Sequence, residues 1–195
     1  MSQDSETLAI QARGDPEAFS ALYDRYYARV YSYIHYHCDD EDTPEDLTAQ
    51  VFERLLNVID RYDPKRAPFE VWLFAIVRNI VVDALRKQRF RLRLPWDSLL
   101  RHSTNDPYPE ETVIQNDLRI QLSKALKMLK DNERDLLGLK YNTGLTNREI
   151  TELTGLSEQN VGVILFRAIK ELRKLMNDPF MKISSHCIEK EVERD

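Results

Sequence analysis

Trp72, Asn79, Asp83 and Arg86 fall on one stripe when residues 69–93, FEVWLFAIVRNIVVDALRKQRFRLR, are set at helical steps of about 100°. The segment ends in a cationic run of Arg86, Lys87, Arg89, Arg91 and Arg93. These groups contain neither a nucleophile beside a base nor a set of metal ligands. What they can do is bind. Guanidinium and ammonium groups neutralise phosphates, an amide pairs with base edges and an indole offers a stacking face. Just upstream, residues 61–68 read RYDPKRAP and place Tyr62, Lys65 and Arg66 in a loop whose two prolines restrict the backbone. Cations and aromatic faces side by side suit single-stranded nucleic acid, where each stacked base contributes about 1–3 kcal/mol. Trp72 admits two readings, a base-stacking platform or a ring packed beneath the loop.

A second set of binding residues lies in LTNREITELTGLSEQNVGVILFRAIKELRKLM, residues 145–176. Thr146 and Glu149 have the spacing of a capping box for a short helix bearing Ile150 and Leu153. Gly155 permits a tight turn, and Ser157 caps a second helix with Val161, Ile164, Leu165, Ala168, Ile169 and Leu172 on its inner side. Short helix, glycine turn and longer helix make a helix-turn-helix, whose second helix can enter a DNA major groove. Glu158, Gln159 and Asn160 are its candidates for base edges, and Arg167, Lys170 and Arg173 for phosphates. Ser157 and Arg148 complete the expected duplex contacts. Gly162 inside a helix costs roughly 1 kcal/mol against alanine, a cost compatible with close approach to DNA or to a neighbouring helix.

The elements that must carry these residues are all helical. A helix is expected from Asp15-Pro16-Glu17 to about Cys38, with Phe19, Leu22, Tyr23, Tyr26, Val30, Tyr33 and Ile34 at core spacing; residues 1–14 are polar and weakly patterned. His35, His37 and Cys38 at its end do not share a face as i,i+4 ligands would, so no metal site is expected. Thr43-Pro44 opens a helix to about Asp60, with Leu47, Val51, Leu55 and Val58 inward and Asp46, Gln50, Glu53 and Arg54 outward. Helix resumes at Val113, with Leu118, Leu122, Ala125, Leu126 and Leu129 as its stripe, and Asp131 caps a further helix through Lys140. The fold class is therefore all-α: two small helical domains, 1–94 and 113–177, joined by a proline-rich flexible linker, 95–112, with the helix-turn-helix in the second and a C-terminal tail, 178–195.

The net charge of −5 over 195 residues hides a segregation. Residues 65–94 hold eight Lys/Arg against two Asp/Glu, whereas residues 39–46 read DDEDTPED. Such a layout accommodates one polyanionic partner and one separate basic partner. The acids of 39–46 lack a nucleophile or distal partner, so an enzyme is not expected, nor is any cofactor. Cys38 and Cys187 are isolated, and the longest apolar run, Val71–Val77, is far shorter than the ~20 residues that span a bilayer. A cytoplasmic protein without membrane insertion is expected. A stand-alone helix-turn-helix repressor or activator is the competing class, but a reader of duplex alone has no need of the Trp72–Asn79 stripe.

Taken together, these residues resemble small bacterial sigma factors of the extracytoplasmic-function (ECF) type over roughly residues 12–176. The match lies in Phe69, Trp72-Leu73, Ile76, Arg78-Asn79, Asp83 and Arg86, and independently in Glu149-Ile150, Leu153, Gly155, Ser157, Val161, Arg167-Ala168 and Leu172-Arg173. The resemblance implies a transcription initiation factor that binds core RNA polymerase and promoter DNA, is held inactive by an anti-sigma factor, and performs no catalysis. It further implies that Asp46, Gln50, Glu53 and Arg54 dock on the polymerase, and that the loop from Tyr62 to Arg66 holds a flipped base of the melted upstream-ten strand. Asn79 and Arg86 would contact adjoining nucleotides, with Trp72, Asp83, Lys87 and Arg89 beside them, while the second domain reads the upstream-thirty-five element as duplex. The chain departs from the pattern at Ala49-Gln50, where the family's D-x-x-Q motif places its glutamine one residue earlier, at Lys130 in place of a common proline, and at Gly162-Val163-Ile164.

Overall fold

The computed structural model describes residues 2–38, 42–91 and 113–177; the expected linker, the C-terminal tail and the side chain of Arg89 lie outside the described residues. Eight α-helices are described: α1 (Ser2–Gln11), α2 (Pro16–His37), α3 (Asp42–Val58), α4 (Phe69–Arg91), α5 (Val113–Met128), α6 (Asp131–Leu137), α7 (Asn147–Thr154) and α8 (Glu158–Asn177). No strand occurs among the described residues. By proximity the chain divides into two units, one holding α1–α4 with residues 138–158, the other α5, α6 and residues 159–177.

In the first unit, α2 is the axis. Asp15 Oδ1 accepts from the Glu17 amide at 2.9 Å and Pro16 occupies the first helical turn, so the helix begins where the sequence places its cap. Its buried residues Leu22, Tyr26, Val30, Tyr33 and Ile34 lie at three- and four-residue spacing, and α3 meets them with Leu47, Val51, Leu55 and Val58. The first helix, expected to begin at Asp15, is preceded by α1 and a turn over residues 2–14. Ser5, Ala9 and Ala12 are buried at i, i+4 and i+7, a face too small and too polar to register as a hydrophobic stripe. Small side chains allow α1 to lie close to α2, and the Tyr26 hydroxyl reaches Ser5 Oγ at 2.8 Å.

The packing of α2 on α4 centres on an ion pair. Arg29 donates from its two terminal nitrogens to Glu70 Oε1 and Oε2 at 3.0 and 2.9 Å, and its guanidinium lies 5.4 Å from the ring centroids of both Tyr26 and Phe74. Bidentate geometry between aromatic rings is the arrangement in which arginine binds a carboxylate best. The hydrogen bonds from Arg29 outweigh the opposing effect of burial and hold the Glu70 carboxyl below its usual range; burial pushes the neighbouring Tyr26 hydroxyl up to about 12.

Residues 138–158 complete this unit. The helix expected from Asp131 to Lys140 ends at Leu137 and widens into a five-residue π-helical turn, Gly138–Asn142, closed by the Thr143 amide on the Gly138 carbonyl at 3.3 Å. A Cβ at Gly138 would stand 2.8 Å from His37 Cε1 and 3.1 Å from the Tyr36 ring, so only glycine lets the turn lie against the end of α2. In the second unit Ala125 of α5, Leu129 just after it, and Val161, Leu165 and Ala168 of α8 are buried. Leu118 and Leu122, expected to face inward, are 51% and 37% exposed, because the buried line runs through Gln121 and Ala125 of α5 to Leu129 just beyond it.

Because Glu70 has a depressed pKa in the folded chain, its contribution to stability is complete above the ordinary Glu value and is lost as pH falls through the lower folded one. Glu70→Gln should therefore cost about 1–3 kcal/mol at pH 7, intermediate between exposed and fully buried pairs. Urea midpoints of the two proteins should converge as the medium is acidified below pH 4.

Candidate nucleic-acid and polymerase interfaces

The loop before α4 is built as a brace. After a 3-10 turn at Ile59–Arg61, the Tyr62 ring turns inward, 2% exposed, where it meets Phe69 and Trp72 at centroid distances of 5.4 and 5.2 Å. Its hydroxyl donates to the Ala67 carbonyl at 3.3 Å, which spans the loop, and Arg13 donates to the Tyr62 carbonyl. Burial pushes the Tyr62 hydroxyl up to about 12, so it stays protonated as a donor. Asp63 closes the turn: its Oδ1 accepts from the Lys65 amide at 3.0 Å, and its carbonyl from the Arg66 amide at 3.0 Å. Lys65 and Arg66 are left exposed at the tip. The expected base contact by Tyr62 is thus not available in this structure, where the ring is interior. Trp72, half-buried, packs on Tyr62 and on Phe69 and keeps one part open. Its aromatic neighbours account for the packed portion; the open portion continues the stripe.

Along α4, Leu73, Val77 and Val81 are buried, and Ile76, Ile80 and Ala84 are partly so. Asn79, Asp83, Arg86 and Lys87 are exposed. Arg86 and Asp83 stand 3.7 Å apart as an exposed i,i+3 pair, a contact of little energetic weight that leaves the guanidinium available to a stronger anion. The loop cations and the α4 amide and cations therefore both remain open to solvent.

On α3 the outward residues Asp46, Gln50, Glu53 and Arg54 are all exposed. Sequence reasoning missed Leu56 on the same helix, 57% exposed. Its signal was present, since it stands outside the inward stripe of Leu47, Val51, Leu55 and Val58. No group of three His, Cys, Asp or Glu positioned to hold a metal occurs among the described residues. His37 is buried with Nδ1 2.9 Å from the Tyr33 carbonyl, and Cys38 ends α2.

In the helix-turn-helix segment, the capping box at α7 is complete. Glu149 N donates to Thr146 Oγ1 at 3.2 Å, and Thr146 N donates to Glu149 Oε2 at 2.7 Å. Gly155 ends α7 at φ +73° with its amide on the Thr151 carbonyl, and α8 starts at Glu158. Ser157, Glu158, Gln159, Asn160, Arg167 and Lys170 are exposed, as is Arg148, which lies 3.7 Å from Glu152. Among the described residues nothing lies within 4 Å of a Cβ built on Gly162, so none of the described helices requires glycine there. Phe166, 70% exposed, and Val163 form an apolar patch on α8 that helical spacing did not flag.

The chain matches the Sigma-70 region 2 family over residues 22–91 and the Sigma-70, region 4 family over residues 119–172. It is similar to the ECF RNA polymerase sigma factor BldN of Streptomyces coelicolor, 31% identical across 85% of this chain and 62% of BldN. ShbA of Streptomyces griseus is 32% identical across 67% of this chain and 70% of its own length, and SigX of Bacillus subtilis 29% identical across 82% and 84%. Among solved structures, CnrH in complex with the cytosolic domain of CnrY aligns over 88% of this chain and 96% of its own with a TM-score of 0.64 at 22% identity. The sigma factor RpoE, in complex with the anti-sigma factor NepR from Bartonella quintana, aligns over 83% and 98% with a TM-score of 0.67 at 18% identity. Two sigma families matched in order, and full-domain relatives at this level of identity, place the chain in the ECF family of RNA polymerase sigma factors, which are transcription initiation factors and not enzymes.

Proposed function

We propose that this chain docks on core RNA polymerase through Asp46, Gln50, Glu53 and Arg54 of α3 and directs it to specific promoters. Domain 1–94 takes the melted upstream-ten strand; domain 113–177 takes the upstream-thirty-five element as duplex. The observation that carries this reading is the open α4 stripe of Asn79, Arg86 and Lys87 beside a loop whose cations Lys65 and Arg66 are held outward by the buried Tyr62. A duplex reader alone has no use for that surface. An extruded base must be offered stacking, hydrogen bonds and phosphate neutralisation together, and Trp72, Asn79 and the Lys/Arg groups, with Arg89 beyond them, supply these three.

Tyr62 serves that site by shape: the ring sets the loop and the cations bind. On α8, Gln159 and Asn160 are the base readers, flanked by Ser157 and Glu158, with Arg148, Arg167 and Lys170 on phosphates. The complexes of CnrH with CnrY and of RpoE with NepR support control of this chain by an anti-sigma factor as well. A chain that acts on core polymerase and chromosomal DNA belongs in the cytoplasm, the location expected from the sequence. No helix among the described residues is long and apolar enough to cross a membrane, in keeping with that reading.

Run-off transcription on pooled genomic fragments with purified core polymerase tests the proposal. The chain should elicit promoter-dependent transcripts, and Asn79→Ala should cut open-complex formation by at least tenfold while duplex binding persists, a loss of about 1.4 kcal/mol or more. Tight DNA binding by the chain alone with no effect on core polymerase would instead favour a stand-alone repressor. Gly162→Ala separates stability from reading at α8: the free energy of unfolding should rise by about 0.5–1 kcal/mol, because the added methyl meets open space. If DNA backbone comes close at Gly162, the same substitution should weaken duplex affinity.

A further inference from the structure

Two arginines of the first unit hold backbone carbonyls of distant residues, and they differ in what is left over. Arg29 is spent: Nε donates to the Thr143 carbonyl at 2.7 Å, the two terminal nitrogens hold Glu70, and the group lies over the rings of Tyr26 and Phe74. Arg13 donates from one terminal nitrogen to the carbonyl of Tyr62, 49 residues on, and meets no carboxylate among the described residues. A guanidinium has five N–H donors, and a neutral carbonyl cancels none of its charge. Arg13 is moreover exposed. Its charge and most of its donors therefore face water at the entrance of the loop that carries Lys65 and Arg66.

The side chain is fixed at both ends. Arg13 stands in the turn between α1 and α2, where its amide reaches the Ile10 carbonyl at 3.4 Å and the Gly14 amide reaches the Gln11 carbonyl at 3.2 Å. Ala9 and Ala12 are buried just before it, Ser5 accepts from the Tyr26 hydroxyl, and Asp15 caps α2 two residues later. α1 lies against α4 and against the 3-10 turn that leads into the loop. At the far end of the bond, Tyr62 is held by its buried ring. A long side chain tied down in this way has already given up much of its rotamer freedom, so an anion that takes its remaining donors orders little more.

The surroundings favour an anion. Residues 61–66 carry three cations and one acid, and that acid, Asp63, accepts from the Lys65 amide and lies 3.6 Å from Arg66. Arg13 brings a fourth cation from outside the loop. Tyr62 and Lys65 are three residues apart, at most about 11 Å of chain, so one strand passing the loop can meet Arg13 with one phosphate and the tip with a neighbouring one. Resting on the strand-binding reading given above, we infer that Arg13 belongs to the same site: one nitrogen holds the Tyr62 carbonyl, and the open edge of the guanidinium takes a phosphate of the captured strand. The planar fork suits this double task, since its donors diverge in fixed directions and can serve a carbonyl and a phosphate at once. α1 and its turn thus supply a ligand contact as well as packing.

The salt dependence of strand binding tests the assignment. The probe is a labelled single-stranded oligodeoxynucleotide selected from a random pool by the full wild-type chain on core polymerase. For a single strand, log affinity falls with log salt by about 0.7 for each phosphate neutralised. Arg13→Gln should therefore flatten the slope by about 0.7, and Arg13→Lys should keep the wild-type slope. Tyr62→Phe removes the hydroxyl bond to the Ala67 carbonyl without changing charge; it should lower affinity at every salt concentration and leave the slope intact. A loosened loop and a lost phosphate contact are thereby told apart. A wild-type slope in Arg13→Gln would overturn the assignment whatever its affinity, and so would an equal flattening in Tyr62→Phe. If Asn79→Ala still weakens the same probe, that result removes Arg13 from the site and leaves the strand reading standing. If the pool yields no selected strand, the strand reading falls and the role of Arg13 with it.

Discussion

A guanidinium cannot be withdrawn from water unless most of its donors are met, and Arg29 meets this requirement with groups from three parts of the chain. Two nitrogens take the carboxylate at the start of α4, one takes a carbonyl far downstream, and Tyr26 and Phe74 close over the planar faces. Because Glu70 is in the first turn of α4, the pair fixes that helix in rotation as well as in position. Phe69 is thereby set against Tyr26 and Tyr62, Tyr62 sets the loop, and the loop sets Lys65 and Arg66. The outward stripe of α4 inherits its direction from this inward pairing.

How much of this was legible beforehand varies with the range of the interaction. Local devices read directly: Asp15 with Pro16, Thr146 with Glu149 and Gly155 each involve neighbours within a few positions, and each performs its expected role. The all-helical class followed from the same short-range periodicity. What escaped were features decided by distant partners. α1 buries serine and alanine, which score as nothing in a hydrophobic pattern until Tyr26 and α2 are placed beside them. Tyr62 read as a binding aromatic because its loop is basic, yet the ring is claimed by Phe69 and Trp72. Gly138 looked like an interior residue of one continuous helix; the need for glycine appears only with His37 in view.

The charge layout shows a similar division between local and global description. An overall deficit of positive charge is no obstacle to a nucleic-acid partner when cations are concentrated around one loop and helix. Acidic and polar groups occupy the exposed side of α3. On α8, by contrast, the amide and cationic groups share their helix with Val163 and Phe166, so its surface combines polar groups with an apolar patch.

Order of synthesis gives the Arg29–Thr143 bond a further consequence. Arg29 and Glu70 leave the ribosome well ahead of Thr143, and the 73 residues from Glu70 to Thr143 take roughly 4–15 s to make at typical elongation rates. Helix pairing on the scale of α2 and α4 is complete within a small fraction of that time. A nascent chain therefore passes through an interval in which the α2–α4 unit is assembled and its Nε is served by water alone. The α2–α4 unit is thus paired before its downstream partner exists, and the Arg29–Thr143 bond is the later of the two to form.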